Sequence, residues 1–70
     1  MHRVFFDTNA GSQDKGYYLW FPQSKADIES IGPDLREGLH VMIYSPGELE
    51  LEAFLEYDRE FQCWAAIPIG

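Results

Sequence analysis

Seventy residues with twelve acids against five bases, a net charge of −7, allow one small domain and disfavour any partner with a phosphate backbone. A domain of this size buries only about 60% of the surface its unfolded chain exposes, so it needs a rich core or a stabilising partner. Five phenylalanines, four tyrosines and two tryptophans supply that core, at about 150–250 Å² of buried surface each.

In chain order, residues 4–7 (VFFD) read as a short strand, and 17–21 (YYLWF) as a second one that stops at Pro22. Between them, 8–16 (TNAGSQDKG) is polar and contains glycine, hence a loop through which the two strands are expected to pair antiparallel. The period then changes. Ser24 stands three residues ahead of Asp27, a variant capping box with Asp where Glu or Gln is preferred, and Gly32-Pro33 supplies the stop. This predicts a helix of about two turns over 24–31, with Ile28 and Ile31 facing the core. Residues 34–38 (DLREG) make a turn, anchored by Leu35.

Residues 39–44 (LHVMIY) form the most apolar strand candidate. Pro46 and Gly47 occupy the central positions of a type II turn from Ser45 to Glu48, giving a hairpin into 48–57. There charge and apolar residue alternate with a period of two. Leu49, Leu51, Ala53, Leu55 and Tyr57 share one face, and Glu48, Glu50, Glu52, Phe54 and Glu56 share the other. A strand this long must bend or twist strongly to stay on one small core. Asp58-Arg59-Glu60 forms the next turn, and 61–67 (FQCWAAI) returns as the last strand.

These elements predict a mainly β domain: a small, partly closed, five-stranded antiparallel barrel with a helix between strands two and three. An α+β sheet with one packed helix is the competing arrangement. A helix capping the barrel end favours the first, and a helix covering a sheet face the second. From Gly38-Leu39-His40-Val41-Met42-Ile43-Tyr44 through the glutamate strand to Trp64-Ala65-Ala66, the chain resembles SH3-like barrels. The likeness lies in strand pattern, hairpin spacing and the closing Trp-Ala-Ala strand over 38–66, without a diagnostic motif.

No residue set points to catalysis or to a cofactor. Cys63, the single cysteine, excludes an internal disulfide, fits a reducing compartment, and sits in an apolar strand that suits a buried, inert thiol. His2 and His40 lack partners at ligand spacing, so zinc is not expected. Glutamates at i and i+2 on an open strand stay solvated, whereas carboxylate catalysis needs a cleft that drives their environments apart. The loop over 7–14 (DTNAGSQD) begins like a calcium loop, but the required glycine falls on Ser12 and the bidentate glutamate on Tyr18. Weak cation binding there is the outlying alternative. Residues 1–7 hold no apolar run of signal-peptide length, and no stretch approaches the ~20 residues of a membrane span, so a cytoplasmic protein is expected.

What remains is a recognition surface. Phe54 stands on the acidic face, where a solvated strand would carry another polar residue, and Trp64 and Trp20 are candidates for partial exposure. Phe54 and Trp64 framed by Glu50, Glu52 and Glu56 would suit a basic peptide or protein, through cation–π contact plus charge. The competing readings are that Phe54 is covered by another part of the chain, or that the domain forms a homo-oligomer to protect an open edge strand. The expectation is therefore a protein-interaction module without enzymatic activity.

Overall fold

A computed structural model describes residues 1–12 and 16–69. Along the chain lie β1 (Arg3–Phe5), a 3-10 turn at Thr8–Ala10, β2 (Gly11–Ser12), β3 (Gly16–Tyr18) and α1 (Pro22–Ile31). A second 3-10 turn at Gly32–Asp34 then leads to β4 (His40–Ser45), β5 (Leu49–Asp58) and β6 (Cys63–Pro68). The strands form one mixed sheet in the order β1-β4-β5-β6-β3-β2, parallel between β1 and β4 and antiparallel elsewhere.

Local chemistry explains the central meander. Gly47 takes a positive φ of 74°, and the Glu48 N–H donates to the Ser45 carbonyl at 3.0 Å, closing the turn expected from Pro46-Gly47. At the other end of β5, the Asp58 carboxylate accepts the N–H groups of Glu60 and Phe61 at 2.9 and 3.0 Å. Gln62, at φ 55°, completes a four-residue turn over 59–62. Outside the meander, Gly16 has a φ of 75°, and a Cβ there would lie 2.2 Å from the Ala66 carbonyl oxygen. Only glycine lets β3 lie against β6 at that point.

One face of this sheet is the core. Val4, Val41, Ile43, Ala53, Leu55 and Ala66 project from the inner side of four neighbouring strands, β1, β4, β5 and β6, and Ile28 and Ile31 of α1 join them in the core. The sheet is strongly curled. Four strand spacings separate β1 from β3, about 19 Å if flat, yet the Phe6 ring just beyond β1 meets Tyr17 of β3 at 4.9 Å. The helix packs along β1, the edge strand, and sends Ile28 and Ile31 into the core, so the fold is a mainly β mixed sheet with one packed helix.

Several expectations are corrected. The sheet is not closed into a barrel and is not wholly antiparallel, and among the described residues the short β2 at Gly11–Ser12 adds a sixth strand to the five expected. The first two expected strands do not pair with each other: β1 lies beside β4, and β3 lies beside β6. The reason for the open edge is physical. Phe5 points its N–H and carbonyl outward from β1, and helix side chains take both: Asp27 accepts the N–H at 2.9 Å, and Ser24 Oγ donates to the carbonyl at 2.6 Å. A closing strand would need those same groups. Ser24 and Asp27 are therefore not a capping box. The helix starts earlier, at Pro22, whose fixed φ suits the first helical position, and Lys25 N–H makes its bond to the Phe21 carbonyl. At its far end Gly32 (φ 67°) terminates it as expected.

Candidate functional site

The opposite face of the sheet carries the glutamate ladder, and it divides into three zones. At one end, Phe5 of β1 and Tyr44 of β4 meet edge-on at 6.0 Å, with Phe21 packed on Phe5 at the same distance. At the other end, Tyr18, Trp20 and Phe61 cover the buried Cys63 and Ala65. Between them the face is open: His40, Glu52 and Glu56 are exposed, and Met42, Phe54 and Ile67 are half-buried. Phe54 sits at its centre, directly across from His40 on β4 and Ile67 on β6. Its side chain is neither buried nor fully exposed.

The first zone shows how this face handles a cation. Arg3 lies over the Tyr44 ring, 4.9 Å from its centroid, and pairs with Glu50 directly across the β4–β5 ladder from Tyr44. Both partners of that ion pair are more than half exposed, so the charge contact itself is worth at most about 1 kcal/mol, and the ring adds about 0.5–1 kcal/mol. Tyr44 also donates its hydroxyl to Asp27 at 2.9 Å. Burial raises its pKa above the ordinary 10.0, and the hydrogen bond to Asp27 and that carboxylate's charge raise it further, against opposing effects of Gln23 and Arg3.

The middle zone again sets an aromatic ring among glutamates of β5. Glu52 and Glu56 flank Phe54 on the strand, each about 7 Å away along β5. Among the described residues neither has an ion-pair partner. Beside them runs a groove lined by Ala65 and Ile67, by the acids Glu56, Asp58 and Glu60, and by Arg59.

Of the five residues expected in the site, Glu50, Glu52, Phe54 and Glu56 share this face. Trp64 does not. It stands opposite Tyr57, edge-on at 5.3 Å, on the inner side of the sheet and packed against the core. Glu50 is already engaged by Arg3. Ala65, Ile67, Asp58 and Glu60 enter the site instead, and so does the Arg3–Tyr44 pair.

The other candidates are placed as follows. Cys63 is buried, and burial pushes its thiol above the ordinary 9.0, with the Asp58 charge adding to the effect and Lys25 opposing it, so it stays protonated at neutral pH. His2 contacts Asp34 at 3.4 Å, and His40 stands on the open face. Asp7 accepts the Asn9 N–H at 2.8 Å, turning part of its carboxylate to its own backbone; Gln13 and Asp14 of that loop lie outside the described residues. Among the described residues no three His, Cys, Asp or Glu side chains converge as metal ligands, and no helix is long and apolar enough to cross a membrane. No protein-family model, no curated protein and no solved structure matches the chain.

Proposed function

We propose that the domain is a non-enzymatic interaction module whose open sheet face docks a basic segment of a partner protein, with a Lys or Arg side chain seated at Phe54. The observation that carries this reading is internal. The chain's own Arg3 rests on an aromatic ring beside a ladder glutamate, whereas Phe54, Glu52 and Glu56 have no ion-pair or cation–π partner among the described residues. Charge complementarity selects the occupant: the ladder attracts Lys and Arg and repels nucleic acid. A homo-oligomer built through this same face is disfavoured, because it would bring two glutamate ladders together.

Titration with an extended peptide of alternating lysine and threonine, followed by calorimetry, tests the reading. Binding that weakens as salt rises, and that Phe54→Ala weakens by about threefold to thirtyfold with every charge left in place, supports it. Binding insensitive to Phe54→Ala reduces the face to diffuse electrostatic attraction and overturns the reading.

A further inference from the structure

Beyond the far end of the ladder, the tip of the β5–β6 hairpin and α1 meet at one end of the molecule. Three large aromatic side chains stay exposed there: Phe61 at 53%, Trp20 at 42% and Tyr57 at 38%. They are held in place. Trp20 stacks on Tyr18 at 4.8 Å with an interplanar angle of 13°, and Phe61 packs edge-on against both rings. Rings so fixed have little conformational freedom left to lose on binding, which is why Trp and Tyr dominate the anchors of protein interfaces.

Next to them, a cleft opens between the helix and the hairpin. Leu19, Ile28, Tyr57 and Trp64 line it, Cys63 lies at its base, and the exposed Lys25 and Glu29 stand on its helix side. The lining is nearly all apolar. Lys25 and Glu29 are one helical turn apart, so the rim carries both signs of charge on one face of α1. This differs from the ladder, where every charge of β5 is negative.

We infer that this end is a self-association surface, and that its occupant is a second copy of the chain. In a two-fold pair the same patch serves both subunits, so it must be complementary to itself. This patch meets that requirement twice. It has an aromatic knob, Phe61, beside an apolar cleft, and a positive beside a negative residue on the helix. Lys25 of each copy then faces Glu29 of the other, which the uniformly acidic ladder could not achieve with itself. Pairing also gives a 70-residue domain the additional buried apolar surface that its size denies it. The dimer leaves the middle zone around Phe54 free on each copy.

Sedimentation equilibrium of the full chain from low to high micromolar concentration tests this. The expected result is a mass rising from 8.1 kDa towards twice that value. Phe61→Ser should raise the dissociation constant roughly tenfold or more, as for a central aromatic anchor, with an unchanged circular dichroism spectrum. Lys25→Glu should do the same through repulsion, and adding Glu29→Lys should restore dimerisation, a rescue that a merely misfolded variant would not show. Phe54→Ala should leave the dimer intact, which separates this inference from the peptide-docking reading. A chain that remains at 8.1 kDa at high micromolar concentration, or a dimer indifferent to Phe61→Ser and Lys25→Glu, overturns it.

Discussion

On the inner face of β5, Ala53 and Leu55 are closed in by Val41 and Ala66 on the adjoining strands and by the helix beyond. On the outer face, one residue away along the same backbone, Glu52, Phe54 and Glu56 meet Met42, His40, Ala65 and solvent. The difference shows how a single strand is divided between a packed face and an open one. Packing decides what may stand at the odd positions. At the even positions an aromatic residue, Phe54, stands half-buried where a charge would be less costly to keep in water, and the proposed function takes that ring as its anchor.

The sharpest way to break this contrast is to truncate each side in turn. Leu55→Ala should cost about 2–5 kcal/mol, a large part of the ~5 kcal/mol that so small a domain holds, read from the midpoint of urea unfolding. Gly16→Ala comes next: about 1–3 kcal/mol for the backbone conformation, with the clash against the Ala66 carbonyl added, and hydrogen exchange should accelerate first in β3 and β6. Asp27→Ala should cost about 1–3 kcal/mol, because the Phe5 N–H loses its acceptor at the sheet edge, and the Phe5 amide should lose protection. On the outer face Phe54→Ala should cost about 1 kcal/mol, a half-buried ring giving up far less than a core residue does. A Phe54→Ala cost equal to that of Leu55→Ala would erase the distinction between the faces.

The smallest effect is at high pH. Tyr44 has its pKa raised in the folded protein, so the folded state keeps a proton that the unfolded chain has lost. Its stabilising contribution is intact below pH 10.0 and disappears as pH rises through the folded value. Cys63 adds a loss of the same sign starting from 9.0. In a Cys63→Ala background, Tyr44→Phe should flatten the remaining decline of stability above pH 10.0, measured by denaturation across that range.

The meander was legible because its signals are local. The two-residue period of 49–58 and the Pro46-Gly47 turn depend on residues adjacent in sequence, and Ile28, Ile31 and Gly32 follow from helix spacing and capping in the same way. Pairing of β1 with β4 was not legible, because a three-residue strand joined in parallel to one some forty positions later leaves no turn to read. Ser24 and Asp27 misled for a related reason: their spacing suits a cap, but their partner is the distant edge of β1. Trp64 was displaced by turn length. A three-residue turn at 58–60 would set it opposite Phe54, on the acidic face, whereas the four-residue turn over 59–62 sets it opposite Tyr57. An odd shift in register exchanges the two faces of a strand. The positive φ at Gln62 that lengthens the turn has no glycine to announce it.

The central claim is that the outer face, through Phe54, seats a positive side chain. Amide chemical-shift mapping with the alternating lysine–threonine peptide tests it most directly. The account predicts shifts concentrated at Glu52, Phe54, Glu56, Ala65 and Ile67, which fade with added salt and largely vanish in Phe54→Ala. Shifts scattered over all acidic positions alike, or gathered at the hairpin tip and α1 with the Phe54 neighbourhood silent, would contradict it.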